Sequence, residues 1–517
     1  MNIGSLLTKT SRLYGNRLAI KYGGQQLTYA ELRQRVGRLA HALQTLGVRL
    51  GDRVALVQRN GPALFETLFA CFRAGAVAVP INVRLHPEEV AFICQDCNAR
   101  VLVATGEYAA SAFQARKQVP ELRLVGVESN AGDFDYETLL SAADPITTDA
   151  EVDPDDLAWL FYTSGTTGKP KGAMLTHRNL LAMTMNYFAD VNPLAPEDVV
   201  LHAAPLTHGS GLFGLPAIAK GATNVILHTP SFDPQTIFTM IQDLRVTTVA
   251  FLAPTQIKML LNGPYRSYDL SSLRCIPYGG GPMYVEDMKQ AVEAFGPVLV
   301  QIYGQGEAPM TISYLRQEAH VTQGDPVAEQ RLASAGIPRT DVEVRIVDDD
   351  DHEVAVEEIG EIVARGSVVM AGYWKRPGET AETLRGGWLH TGDIGMMDAQ
   401  GYLYLLDRKK DMIISGGNNI YPREIEEILL KHPAIYEVAV IGVPDPLWGE
   451  SVKAMIALRP GMSVTEEEVN DLCRQHLASY KKPRMVEFVS ELPKNAYGKI
   501  LKRELREQYW QDRERRI

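Results

Sequence analysis

The sequence predicts an α/β chain in two unequal parts: a large N-terminal domain of parallel sheets with helices plus a small β-barrel-like part, and a small α+β C-terminal domain. Three observations lead there. The chain has 517 residues, beyond the size at which a single hydrophobic core stops growing. Helix and strand signals alternate from residue 28 to residue 81, the pattern of parallel sheets covered on both faces. After the run Asp407-Arg408-Lys409-Lys410-Asp411 the order of elements changes to a compact unit within the usual domain range.

Thr28-Tyr29-Ala30-Glu31 reads as a capping box, and Leu32, Val36, Leu39, Leu43 and Leu46 follow at helical spacing until Gly47. Residues 53–58 read as a strand, 63–74 as a helix closed by Gly75, and 76–81 as a strand. Residues 342–366 differ. Val342, Val344 and Ile346 alternate, Asp348 to Asp351 make a turn, and Val354 and Val356 resume the alternation, which predicts the antiparallel, barrel-like part. The four aspartates read as a solvated hairpin, since no spaced set of metal ligands follows them. Further on, 424–431 reads as a helix, 437–443 and 453–458 as strands, and 465–478 as a helix whose capping box Glu468 completes. The boundary is placed between residues 409 and 410, giving domains 1–409 and 410–517.

Formal charge is −11, from 52 basic and 63 acidic residues, so no electrostatic footprint for nucleic acid is present. Apolar runs such as 74–81 are too short to span a bilayer. The start, MNIGSLLTKTSRLYG, lacks the apolar stretch of a signal peptide, and the last residues are not a peroxisomal tripeptide. The expected location is cytoplasmic. Five cysteines fit a reducing compartment. Cys94 and Cys97 form a lone CxxC with no second pair, so they are expected to pack against the core with one thiol exposed.

Residues 162–172 read YTSGTTGKPKG. Glycines let backbone N–H groups approach a polyanion. Thr163, Ser164, Thr166 and Thr167 add neutral donors around Gly165 and Gly168, and Lys169 and Lys171 add charge. The target this suits is a triphosphate. It is not a Walker A loop, because its glycines are two residues apart and Pro170 follows Lys169. The string resembles the signature of the adenylate-forming superfamily: acyl-CoA synthetases, adenylation domains of nonribosomal peptide synthetases, and beetle luciferases. The resemblance covers essentially the whole chain, with further motifs in the family's order.

Tyr303-Gly304-Gln305-Gly306-Glu307 follows an apolar strand. An aromatic ring can stack on adenine, and a carboxylate can hold Mg²⁺ against phosphate oxygens; the resemblance gives Tyr303 and Glu307 those roles. The family usually has Thr at Gly306, where the hydroxyl reaches the α-phosphate. Its absence is offset by water or by Thr163, and it leaves space beside the reacting carboxylate. Gly279, Gly280 and Gly281 bring backbone close to a flat ligand and, by resemblance, line the adenine site and the acyl pocket. Asp393 resembles the ribose-binding Asp, and Arg408 a second ribose contact. Lys410 aligns with the family's hinge, which makes the C-terminal domain a mobile lid. Gly416 and Gly417 resemble the loop lining the pantetheine tunnel, and Lys499 the adenylation lysine.

The resemblance implies an ATP-dependent carboxylate–CoA ligase acting through an acyl-adenylate, with ATP, Mg²⁺ and coenzyme A, and with Lys499, Glu307 and Thr163 as catalytic groups. Rivals are an adenylation enzyme that loads a carrier protein and a luciferase-like oxidoreductase. Amino-acid-activating members carry an Asp where this chain has His208. Tyr480, Lys482 and Arg484 combine an aromatic with positive charge, which suits the adenine and phosphates of CoA. Pocket candidates are His208, Gly209, Ser210, Gly211, Gly280, Gly281, Gly306, Ala308 and Met310. They are mostly small and uncharged, which favours a medium or long fatty acid or an aromatic acid. A homodimer is compatible with this reading.

Overall fold

The computed structural model describes every residue except 130, 164–169, 230, 282, 323, 409–410, 417, 495–499 and 511–517. Thr28 caps the helix Tyr29–Thr45, with Glu31 closing the box. That helix turns Leu32, Val36, Leu39 and Leu43 inward, as their spacing requires. The strand Arg53–Val57, the helix Pro62–Ala74 and the strand Val77–Pro80 follow. Gly75 ends that helix at φ +68.

These elements open a seven-stranded sheet. Its order is Phe134–Asp135, Arg123–Val127, Ala99–Thr105, Arg53–Val57, Val77–Pro80, Leu157–Thr163, Lys171–Thr176, parallel up to the last, antiparallel pair. A five-stranded sheet is built around the parallel strands Val199–His202, Thr223–Ile226 and Leu18–Tyr22. A third sheet places Ile276–Gly279 parallel to Leu299–Tyr303. Phe65, Phe69, Trp159 and Phe213 share the largest apolar cluster among them.

Strands Val342–Val347, Gly360–Gly366, Leu389–Met397 and Leu403–Arg408 make an antiparallel meander. Among the described residues the outer strands do not pair with each other; Leu403 on the last strand instead exchanges backbone hydrogen bonds with Ala335 and Gly336. One expectation is corrected here. Val354 and Val356 do not resume a strand. The chain turns at Asp351 (φ +64) and Glu357 (φ +68), and the partner strand begins only at Gly360. The expected exposed thiol is also absent. Cys94 and Cys97 are both buried, within a cluster that includes Ile93, Leu102 and Leu160.

The C-terminal part has the strands Ile413–Ser415, Ile435–Asp445, Gly449–Leu458 and Met485–Val489 in one sheet, packed by the helices Pro422–Leu429 and Glu466–His476. No described helix is long and apolar enough to cross a membrane.

The helix Lys502–Trp510 is tied to this unit by charge. Lys502 Nζ lies 2.8 Å from Glu426 and 3.7 Å from Asp407. Glu426 is 3% exposed and accepts the Val440 N–H at 2.8 Å. Burial raises its carboxyl above the ordinary value, against the pull of Lys502. Lys502→Ala is therefore expected to cost about 3–5 kcal/mol, the penalty for stranding a buried charge. In native-state hydrogen exchange, strand Ile435–Asp445 should lose protection while Arg53–Val57 keeps its own.

Candidate active site

Parallel register sets Gly279 beside Ile302, so the GGGP and YGQGE segments leave neighbouring strands at the same end. In open α/β sheets ligands bind beyond the carboxyl ends of strands. The chain after Tyr303 doubles back tightly: the Ile312 N–H donates to the Tyr303 carbonyl at 2.9 Å. A Cβ on Gly304 would stand 2.6 Å from the Met310 Cα, so only glycine fits there. Met310 completes the turn at φ +60.

This fold-back gathers the ribose candidates. Tyr303 Oη donates to Asp393 Oδ2 at 2.7 Å, and Gln305 Nε2 donates to the same oxygen at 2.7 Å. Arg408, opposite Asp393 in the antiparallel register, reaches Oδ1 at 3.3 Å. Burial, and then the adjoining Asp393 charge, push the Tyr303 phenol well above its ordinary value, so it stays a donor. The Asp393 charge in turn raises Arg408.

Glu307 sits in the same turn. Its Oε1 accepts a 2.6 Å hydrogen bond from Tyr373 Oη. Burial first, and then Glu307, raise the Tyr373 phenol. The Lys171 ammonium lies 5.5 Å from the Tyr373 ring centre and is ion-paired with Glu379, so it is not a free charge for a ligand. Tyr373 was not singled out from the sequence, where Ala371-Gly372-Tyr373-Trp374 carries no motif.

Among the acyl-pocket candidates, His208 Nδ1 accepts the Gly209 N–H at 2.8 Å, and its ring meets Phe161 edge-on at 4.9 Å. Burial lowers His208 to about 4. A Cβ on Gly209 would lie 2.7 Å from the Met310 methyl and 3.1 Å from Phe251. One on Gly211 would overlap the Leu206 carbonyl. Gly280 (φ +79) is exposed, Gly281 half-buried, and Gly281 has open space around it.

Three pocket expectations are corrected. Ser210 is turned into the core, with Oγ 2.9 Å from His202 Nδ1, because the short helix Gly209–Leu212 points it away from His208. Ala308 packs into the apolar cluster of Ile312, Val342 and Ile362. Gly306 does not open space: a Cβ there would lie 2.6 Å from Thr163 Cγ2 and 2.8 Å from Phe161 Cδ1. Phe161 was missed because it reads as one more apolar strand residue.

Two of the residues expected to meet CoA, Gly416 and Arg484, pack on Trp448, which carries no motif in the sequence. Gly416, at φ +58, donates its N–H to the Trp448 carbonyl at 2.8 Å, and a Cβ on it would press on that indole at 2.5 Å. The Arg484 guanidinium lies 4.8 Å from the Trp448 ring centre. Lys482 and Arg484 line a depression of about 410 Å³ with Asn470, Ser479 and Pro483. Tyr480 is exposed. Ser164, Gly165, Thr166, Thr167, Gly168, Lys169, Lys410, Gly417 and Lys499 lie outside the described residues.

Comparison with known proteins gives consistent matches. The family profile "AMP-binding enzyme" matches residues 7–374, and "AMP-binding enzyme C-terminal domain" matches residues 424–499. The chain is 43% identical over 510 residues to a feruloyl-CoA synthase of Amycolatopsis sp, covering 98% of this chain and 99% of that one. It is 32% identical to a medium/long-chain fatty acid–CoA ligase of Mycobacterium tuberculosis, covering 98% and 90%. An anthranilate CoA ligase solved with anthranoyl-AMP superposes with a TM-score of 0.90 at 29% identity, over 98% of this chain and 97% of that one.

His208 gives a test by pH. Its pKa of about 4 lies below the ordinary 6.5, so the unfolded chain binds more protons between those values and stability falls as pH drops from 6.5 towards 4. His208→Gln should remove up to about 1.4 kcal/mol per pH unit from that slope, the value for one proton, in denaturant titrations between pH 4.5 and 6.5. The acid limb of its kcat/KM profile between pH 6 and 8 should match that of the unaltered chain.

Proposed function

The chain belongs to the AMP-binding enzyme family, as a ligase that joins an aromatic or fatty acid to coenzyme A with release of AMP, and on that premise we propose that its acid is aromatic and that the residues gathered at Asp393 and Glu307 form the adenylation site. The observation that carries the site is the convergence of Tyr303, Gln305 and Arg408 on Asp393, with Glu307 in the same turn.

A carboxylate is a poor acyl donor because its leaving group is oxide. Attack on the α-phosphorus of ATP makes a mixed anhydride and expels pyrophosphate. Asp393 and Arg408 hold the ribose hydroxyls. Thr163 and residues 164–169 supply donors to the phosphates, and Lys499 meets the charge that develops on them. Among the described residues no cluster of three metal-binding side chains exists. The single carboxylate of Glu307, one oxygen of which is held by Tyr373, suits Mg²⁺, which binds through one or two carboxylates plus substrate phosphates. That ion would neutralise phosphate charge. One ammonium cannot serve adenylation and also leave room for the CoA thiol, so the unit 410–517 turns about Lys410 between the two half-reactions. Gly416, Gly417, Trp448, Tyr480, Lys482 and Arg484 then receive CoA.

The aromatic acid is supported by the rings of Phe161, His208 and Phe251 at the acyl end, by the absence of Lys and Arg from the candidate acyl residues, and by the feruloyl-CoA synthase relative. Pyrophosphate release should require ATP, Mg²⁺ and an aromatic monocarboxylate, and thioester should form only with CoA. Acyl-AMP that passes to a carrier protein and never to CoA would overturn the ligase reading.

Lys499→Ala should slow adenylation by about 10²–10³-fold, the usual effect of removing one contact to transition-state charge. It should largely spare thioester formation from supplied acyl-AMP. Single-turnover measurement of each half-reaction checks this, and equal damage to both halves sinks the assignment.

A further inference from the structure

Phe161 occupies the place that Gly306 leaves. It belongs to the strand Leu157–Thr163 and is 7% exposed. A Cβ on Gly306 would stand 2.8 and 3.1 Å from two carbons of its ring and 2.6 Å from Thr163 Cγ2. Real Cβ atoms essentially never approach closer than 3.0 Å, so residue 306 can carry no side chain while Phe161 holds this rotamer. The same ring meets the His208 imidazole at 4.9 Å and 72°. Beyond His208, Gly209 is packed by Met310 and Phe251.

Phe161 thus spans two parts of the site. One side abuts Gly306, the residue before Glu307, and stands next to Thr163, which directly precedes the segment 164–169. The other side abuts the acyl end at His208. An acid whose carboxylate reaches the α-phosphate must bring its next carbons past this ring. Its burial within the main apolar cluster and its edge contact with His208 fix its orientation, so it is a rigid wall.

We propose that Phe161 is the specificity-determining residue of this site: in place of a side chain at 306 it forms the wall against the first carbons of the acid, and it selects acids whose carboxylate is borne on a planar carbon, of the benzoate or cinnamate class, over saturated ones. A wall held in one rotamer within a close-packed interior accepts the thinner planar conjugated carbon at van der Waals distance and crowds a tetrahedral one, whose hydrogens project on both sides. The proposal rests on the adenylation reading above and names the substrate feature that this chain's own departure from the family selects.

The test is a double-mutant cycle read on selectivity. Phe161→Leu, Gly306→Ala and the double variant are assayed for pyrophosphate release with 4-hydroxycinnamate, its saturated analogue 3-(4-hydroxyphenyl)propanoate, benzoate and decanoate, alongside thermal melts. The unaltered enzyme should favour 4-hydroxycinnamate over its saturated analogue at least about tenfold in kcat/KM. Phe161→Leu should bring that ratio towards one. Gly306→Ala should lower kcat/KM at least about tenfold for every acid, and adding Phe161→Leu should recover part of the loss, because the smaller side chain relieves the two ring contacts and leaves only the one to Thr163 Cγ2. A purely structural role would shift the melts and leave the ratio unmoved. An unmoved ratio in Phe161→Leu, additive losses in the double variant, or an unaltered enzyme that prefers decanoate overturns the proposal while leaving the ligase reading intact. Pyrophosphate release with none of the four acids overturns the aromatic-acid reading and this proposal with it.

Discussion

The Asp393 carboxylate is reached from two sheets at once. Tyr303 and Gln305 come from the loop beyond a parallel strand, and Arg408 from the antiparallel meander in which Asp393 itself lies. A carboxylate 7% exposed is costly to bury without partners, and removing one partner of such a pair is destabilising. The three donors resolve that cost, and in doing so they lock the 303–312 turn to the meander. Glu307 and Met310 belong to this turn, so the metal candidate and one wall of the acyl end inherit their positions from the same carboxylate. The proposed ribose contact is in this sense also the structural joint of the site.

Glycine in this site marks occupied space more often than empty space. Gly304 lets the turn close on Met310, Gly209 admits the Met310 methyl and Phe251, and Gly306 admits Phe161 and Thr163. Gly281 alone of the pocket glycines faces open space. A missing side chain in a close-packed interior is normally replaced by a neighbour's atoms. The width of the proposed acyl pocket would therefore be set by the large residues that fill in behind the glycines.

That distinction explains what the sequence could and could not disclose. Local rules were legible: the Thr28–Glu31 and Thr465–Glu468 boxes cap helices as read, because capping is decided within four residues. The family was legible because glycines, hydroxyls and charges cluster in its motifs. Side-chain direction was not. Ser210 lies two residues from His208 and yet points to His202, and Ala308 faces the meander core. Tyr373 and Trp448 reach their places through chain separations of 66 residues, to Glu307, and of 32 residues, from Gly416. No local pattern encodes such contacts. The second strand of the 342–366 hairpin was placed too early because alternation of Val354 and Val356 mimics a strand across what is a turn.

The apolar clusters bear on how the two parts of the chain are joined. Every described cluster lies wholly on one side of residue 410: four draw only on residues up to 405, and two only on residues from 413 onwards. The side-chain contacts that cross are polar. Arg423 donates to the Leu405 carbonyl at 3.0 Å, Lys502 lies 3.7 Å from Asp407, and Lys258 donates to the Tyr436 carbonyl at 3.2 Å. Polar groups at such a boundary can exchange one another for water at small net cost, whereas separating a shared apolar core would expose area at about 25 cal/mol per Å². The proposed turn of 410–517 about Lys410 would therefore leave both sets of apolar clusters intact. Such a turn would release Lys502 from Asp407, Arg423 from Leu405 and Asp407, and Lys258 from Tyr436, while Arg506 and Asp411, 2.6 Å apart and both after residue 410, would travel together. Lys499 stands three residues before the helix Lys502–Trp510, so in the proposed two-step reaction the rotation that frees the acyl carbon for the thiol would carry Lys499 with that helix.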